Sequence, residues 1–179
     1  MVRHTLPDGT PILIRPIRPA DKPRLAAGLA ELSPESARRR FLAAKPGLTK
    51  GELTYLTEVD GFHHLALVAV AGEGEDGPIA AVARCVREAP GSDSAEFAIV
   101  VGDPLQRQGL GTLLAGELAA AACRVGIRRF TASTLADNLA VARLLDTFAV
   151  RVLARAADGA VRELVAELPE CADRAALAA

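Results

Sequence analysis

Aromatic side chains make up only 3% of this 179-residue chain, and tryptophan is absent. That scarcity argues against stacking platforms for nucleobases or sugars. It also means that a chain 50% hydrophobic must build its core from Ala, Val, Leu and Ile. An excess of either charge is missing too. With 21 basic against 22 acidic residues the net charge is −1, which argues against phosphate-backbone binding, so no nucleic-acid partner is expected. The one basic cluster, Arg38-Arg39-Arg40, reads as a solvated helix face in preference to a docking patch. Cysteine is sparse. Cys85, Cys123 and Cys171 are odd in number and lack metal-ligand spacing, so no metal site is expected. Cys85, in a strand-like run, and Cys123, in an apolar helical one, read as small buried hydrophobes, because nothing pairs either with a His. No apolar run approaches the roughly 20 residues that cross a bilayer. Met1-Val2-Arg3-His4 leads into Pro7-Asp8-Gly9 and not into the apolar stretch of a signal peptide. No membrane partner is therefore expected, and a reducing cytoplasm is the expected setting.

What is present fits a single domain over 1–179, with a core from about 11 to 168 and a tail at 169–179 that is expected to fray. Thr10 to Arg18 alternates and predicts a first strand, which its prolines suggest to be an edge. Leu25, Leu29 and Leu32 have helical spacing within Ala20 to Leu32. Ser33-Pro34 then reads as an N-cap with proline at the first helical position, opening a helix to about Ala43. Thr49 with Glu52 has capping-box spacing for a helix from Lys50 to Val59. His64 to Ala71 and Ile79 to Arg87 predict a hairpin around a polar loop, and Ser94 to Val101 another strand. Gly109 to Val125 is helical, with Leu110, Leu114, Leu118, Ala121 and Val125 on one face and Gly126 as the stop. Arg128 to Thr134 predicts a strand, and Asn138 to Phe148 a helix capped by Asp137 or Asn138. Val150 to Ala156 and Ala160 to Leu168 flank Asp158-Gly159, a two-residue hairpin signal. The order implies an α+β fold: a mixed, mostly antiparallel twisted sheet with one parallel crossover around the Gly109 helix and helices on its faces.

The chemistry concentrates where the strand ending at Val101 runs through Gly102-Asp103-Pro104-Leu105-Gln106-Arg107-Gln108 to the helix start Gly109-Leu110-Gly111-Thr112. Two glycines let the backbone turn with no side chain in a ligand's way. The first helical amides have no internal partner and sit at the positive end of the helix dipole, which suits an anion such as a pyrophosphate. Arg107 adds a charge and Thr112 a hydroxyl donor. A Walker-type loop fails, since no Gly-Lys-Ser/Thr follows. Gly109-Leu110-Gly111 superficially suits a dinucleotide fingerprint, but seven residues separate Val101 from Gly109 and the expected acidic ribose partner is missing from Arg128-Arg129-Phe130-Thr131. A purely structural turn would leave Gln106-Arg107-Gln108 without a purpose.

Gln106-x-x-Gly109-x-Gly111 resembles the acyl-CoA pyrophosphate loop of the GCN5-related N-acetyltransferase (GNAT) superfamily, and the element order from Pro11 to Leu168 is similar to that fold. Ile14-Arg15-Pro16-Ile17-Arg18-Pro19-Ala20-Asp21, Leu32-Ser33-Pro34-Glu35-Ser36, Arg40-Phe41 and Leu65-Ala66-Leu67-Val68-Ala69-Val70 resemble the acetyltransferase domain of bacterial Pat-type protein lysine acetyltransferases. The resemblance implies acetyl-CoA as acyl donor, held by residues 106–112, and direct attack of an amine on the thioester. A protein lysine is the implied acceptor, with a small-molecule amine, or a non-catalytic acyl-CoA-binding module, as the other readings.

A lysine amine with a pKa near ~10.4 is neutral at pH 7 in roughly one molecule in a few thousand, a deficit of about 4–5 kcal/mol that a general base must meet. Glu96 is the candidate. It stands in the apolar strand Ala95-Glu96-Phe97-Ala98-Ile99 and matches the catalytic glutamate of Pat-like enzymes; burial there would make it a stronger base. A carboxylate on a solvated strand face is the other reading. The resemblance further implies that a backbone N–H within Ile99, Val100 and Val101 bonds the thioester or the pantetheine arm, and that Asn138 bonds that arm, unless Asn138 is a plain N-cap. Many relatives place a tyrosine acid seven residues beyond this asparagine. Here that position is Leu145, and Ala149-Val150 replaces the usual Gly-Phe. Tyr55 lies far away in the chain, and His63 and His64 read as strand-end histidines.

Overall fold

The apolar runs 64–71 and 79–87 pair as a hairpin at the centre of the sheet, and the other strands are laid on either side of it. The computed structural model describes residues 1–43, 45–154 and 160–170. In chain order its elements are β1 (Val2–Thr5), β2 (Pro11–Pro16), α1 (Lys22–Ala30), α2 (Pro34–Phe41), α3 (Lys50–Thr57), β3 (His64–Ala71), β4 (Ile79–Arg87), β5 (Ser94–Val101), α4 (Leu110–Arg124), β6 (Arg129–Leu135), α5 (Leu139–Asp146), β7 (Arg151–Ala154) and β8 (Val161–Glu167). Among the described residues the strands form one sheet in the order β1-β2-β3-β4-β5-β6-β8-β7. Every neighbouring pair is antiparallel except β5 and β6. Parallel pairing needs a crossover, and α4 supplies it.

The sheet buries both faces against helices. On one, Leu110, Leu114 and Leu118 of α4 and Leu145 of α5 pack with Ala69, Ala83, Cys85, Phe97 and Phe130. On the other, Leu25 of α1 and Leu53 and Leu56 of α3 cover Val68, Val70 and Val82. The mixed α+β architecture is the expected one. No described helix is long and apolar enough to cross a membrane.

Caps explain most element ends. The Ser33 hydroxyl accepts from the Ser36 amide, and Thr49 and Glu52 form the full capping box. Several helices stop short of expectation: α1 at Ala30, α2 at Phe41, where Leu42 turns left-handed, α3 at Thr57 and α5 at Asp146. The edge position expected for β2 is overturned. Val2-Arg3-His4-Thr5 pairs outside it, from Val2↔Ile14 to Thr5↔Pro11. Pro11 and Pro16 sit at the two ends of β2, where a missing N–H interrupts no interior bond. The Asp158-Gly159 turn and Cys171 lie outside the described residues.

The segment from Arg15 to Asp21 has a structural task. Arg15 and Asp21 form a fully buried two-point ion pair with 2.7 Å contacts, and Arg15 also donates to the Glu75 carbonyl in the β3–β4 loop. The pair thereby ties β2 to the turn before α1.

Candidate active site

β5 and β6 are paired only at Ser94↔Arg129, Ala95↔Phe130 and Glu96↔Thr131. Beyond that, β5 stays on β4 as far as Val101 while β6 stays on β8 as far as Leu135, so the two strands part and leave a cleft. The Gly102 amide donates to the Ala80 carbonyl at 2.8 Å. Antiparallel alternation then turns the main chain of Ala98 and Val100 toward β4 and that of Phe97, Ile99 and Val101 toward the cleft. The amides of Ile99 and Val101 are thus the main-chain donors that face a ligand there, each suited to a different acceptor atom. Val100 offers only its side chain, because its main chain is engaged in the sheet.

At the wide end of the cleft the chain bends through a short turn at Asp103–Leu105, with Arg107 at φ 60 and Gly109 at φ 85. Such a φ costs glycine little and strains an arginine, as is common in ligand loops. The first intrahelical bond of α4 runs from the Leu113 amide to the Gly109 carbonyl. The amides of Leu110, Gly111 and Thr112 therefore have no helical acceptor. A Cβ on Gly111 would meet Val101 Cγ2 at 3.6 Å and Leu144 Cδ1 at 3.9 Å, and one on Gly109 would meet nothing within 4 Å. Packing does not require glycine at 111; what the missing methyl leaves open is the approach to the amides, a fit for a pyrophosphate.

The cleft measures about 520 Å³ and is lined by Ile99, Val100, Val101, Gln106, Arg107, Gly109, Gly111, Thr112 and Asn138. Two expected residues do not line it. The Gln108 side chain turns back to donate to the Pro104 carbonyl at 3.3 Å. Leu110 is buried in the core, so only its amide can serve. Asn138 holds the N-cap position of α5, but its side chain makes no capping bond and faces the cleft. Ser36, Arg39, Arg40 and Arg143 line the cleft without having been expected there; in the sequence the two cluster arginines read as a solvated face, Ser36 only as part of a Pat-like motif, and nothing marks Arg143.

A polar network fixes the loop to α2. The Ser33 amide and the hydroxyls of Ser33 and Ser36 donate to Asp103 at 2.8, 3.0 and 2.6 Å. These bonds, the Ser36 hydroxyl first, hold the Asp103 carboxyl below its ordinary range. Gln106 Nε2 donates to the Ser36 hydroxyl and the Val101 carbonyl, each at 3.1 Å.

Glu96 lies at the narrow end, where the strands begin to part, and it is exposed. The burial expected for it is absent. Ala95 and Phe97 point into the α4 core, so Glu96 points to the opposite face, where the covering helices stop short of it. It borders two cavities. One, of about 200 Å³, runs under Arg39, Arg40 and Phe41. The other, of about 270 Å³, includes Glu88 and Glu163. Arg40 is half-buried rather than solvated. Burial pulls its guanidinium below the usual range, and the nearby Glu96 charge opposes that pull.

The remaining candidates fall away from the cleft. Leu145 is fully buried and Tyr55 is exposed on α3. His64 is buried, and burial, followed by the charge of Arg84, lowers its pKa to about 4. Burial pushes the Cys85 thiol up to about 12, which leaves it an inert core side chain, and Cys123 is buried as well.

The sequence profile of the Acetyltransferase (GNAT) family matches residues 33–148. The chain is 41% identical over 133 residues to "Acetyltransferase Pat" of Mycolicibacterium smegmatis, covering 74% of this chain and 39% of that protein. It is 31% identical over 141 residues to "Acetyltransferase PA5475" of Pseudomonas aeruginosa, covering 77% and 74%. Its structure is similar to the GNAT domain of S. lividans PAT, with a TM-score of 0.81 at 28% identity over 93% of this chain and 96% of that one. The match spans about two fifths of the Mycolicibacterium protein's length.

Proposed function

Because this chain belongs to the GNAT acetyltransferase family and is an acetyl-CoA-dependent acyltransferase, we propose that its acceptor is the side-chain amine of a protein lysine. The observation that carries the reading is the setting of Glu96. It lies open on the surface beside Glu88 and Glu163, where a lysine standing out from a protein surface can reach it. Three carboxylates around one mouth favour a cationic side chain. The similarity to proteins named Pat points to the same class of acceptor.

In this reading the amides of Leu110, Gly111 and Thr112 hold the donor's pyrophosphate, with Arg107 adding charge, and Asn138 bonds the pantetheine arm. Of the Ile99 and Val101 amides, one donates to the thioester oxygen as its charge develops and the other to the pantetheine arm. Glu96 takes the proton from the attacking amine, directly or through one water. A protein laid over Glu96 supplies the desolvation that β5 does not. No tyrosine acid is needed, since a thiol with a pKa near ~8.5 leaves readily as thiolate.

The test is thiol release from acetyl-CoA with acyl-CoA synthetases, the acceptors that the Pat resemblance suggests, set against a panel of small amines. Acetylation of a discrete lysine on a synthetase is the expected result. Turnover with small amines alone would overturn the protein-acceptor reading, and no turnover with any acceptor would favour a binding module.

A further inference from the structure

Behind the donor cleft lies a further cavity that this mechanism does not use. It measures about 60 Å³ and sits beneath α1, α2 and α3, on the sheet face that carries Glu96. Its walls are apolar, among them Leu29, Leu32, Phe41 and Val82, apart from two arginines, Arg40 and Arg84. It shares Arg40 and Val100 with the donor cleft, and Arg40 also borders the Glu96 cavity. One guanidinium therefore stands where the three spaces meet.

Arg84 projects from the middle of the sheet, between its cross-strand neighbours Ala66 and Ala98, and is only 6% exposed. Its terminal nitrogens donate to His64 Nε2 at 3.1 Å and to the Leu56 carbonyl at 3.3 Å. Both acceptors are uncharged, since a guanidinium can only donate and the ring nitrogen facing it must accept. Among the described residues neither Arg84 nor Arg40 forms an ion pair with a carboxylate. Glu96 acts on Arg40 only at longer range. Burial, and then the like charge of Arg40, bring the Arg84 guanidinium down to about 10, so it remains a cation at neutral pH. A buried cation without a counter-charge, as Arg84 is, is costly, and Arg40, half-buried over the Phe41 ring with its guanidinium 4.9 Å from the ring centroid, brings a second positive charge to the same apolar cavity. The partner that such a pair matches is an anion, above all a carboxylate that each guanidinium can bond at two points.

Size and position restrict where that carboxylate comes from. About 60 Å³ holds roughly four water-sized groups, enough for a carboxylate with one or two methylenes and too little for a whole acceptor. The wall shared with the donor cleft makes the far end of the acyl chain the group that reaches it. We propose that Arg40 and Arg84 form a carboxylate pocket for the end of the acyl group, so that this chain also transfers short dicarboxylic acyl groups, of the malonyl or succinyl kind, from their coenzyme A thioesters. The inference rests on reading the cleft as the acyl-CoA site. In the step itself the neutral amine attacks the thioester carbonyl, the C–N bond forms and the C–S bond breaks. The amine's proton goes to Glu96, the thiolate is protonated by water, and the distal carboxylate stays ionised on the two arginines. The product amide ends in a negative charge where the lysine carried a positive one.

Succinyl-CoA and butyryl-CoA have acyl chains of similar length and differ in the terminal carboxylate, so they form the decisive pair of donors, with acetyl-CoA as reference. With the wild-type chain kcat/KM is expected to favour succinyl-CoA over butyryl-CoA by at least about tenfold, as for a site built around a polar group. Arg84→Met should collapse that ratio toward one, its folding checked by thermal melting. The wild-type ratio decides the matter even if the variant does not fold. Turnover of acetyl-CoA with butyryl-CoA used as well as or better than succinyl-CoA would overturn the inference and leave the acetyltransferase reading standing. No turnover and no binding of any donor would overturn both.

Discussion

Glu96 is a residue that the sequence marks as a candidate base without disclosing its surroundings. A lone carboxylate in an apolar strand marks itself, but alternation says only that it opposes Ala95 and Phe97, not how far the helices on its own face extend. The expected consequence of its role is specific. Glu96→Gln should lower kcat about 10²–10⁴-fold while coenzyme A affinity is retained, as steady-state kinetics beside calorimetry would show; unchanged turnover would remove it from the mechanism. Arg40 was hidden for another reason. Three consecutive arginines look like a solvated face, yet successive helical residues are about 100° apart, so one of them must turn inward. Arg38 and Arg39 remain exposed, Arg39 paired with Glu35, and Arg40 is the one that turns. His64 carries the prediction on pH. Its folded pKa of about 4 lies below the ordinary 6.5, so the unfolded chain binds the proton more readily. Stability is then complete above about pH 6.5 and falls as the pH drops toward 4, by up to about 3 kcal/mol in total. Melting temperatures at pH 7 and 4.5 should therefore differ less in His64→Gln, whose amide oxygen can still accept from Arg84; an equal difference would mean that His64 is not the group responsible.

At the scale of elements, α4 and the loop before it were legible because Gly109, Gly111 and Gly126 punctuate an apolar periodicity. The short edge strand β1 was not, since Val2-Arg3-His4-Thr5 offers one apolar residue and no alternation to detect. The N-cap reading of Asn138 was open for a similar reason, as the same residue type serves a cap or a ligand; Asn138 occupies the N-cap position without a capping bond. The start of α4 supports a prediction with two readouts of opposite sign. In Gly111→Ala the new methyl meets Val101 and Leu144 at ordinary contact distances, and alanine is the better helix former by up to about 1 kcal/mol. Thermal stability should hold or rise while coenzyme A affinity falls, because the methyl stands over the amides. A variant that binds coenzyme A as well as the parent would place the pyrophosphate elsewhere.

For the molecule as a whole, the alternating patterns foretold one mixed sheet with a single parallel pair, and the sheet has that order. They could not foretell where β5 and β6 let go of each other. That point, just beyond Glu96 and Thr131, depends on which partner each strand keeps, β4 for one and β8 for the other, and no local pattern records it. The parting exposes the amides of Ile99 and Val101 between the helix start proposed to hold the pyrophosphate and the proposed base Glu96, so in this account one chain geometry serves both binding and chemistry. The most direct test is a calorimetric titration of coenzyme A into the chain, with its fold verified by melting. Saturable binding to one site per chain, weakened in Gly111→Ala, is the predicted result. Absence of any binding heat from folded protein, at several temperatures, would contradict the account.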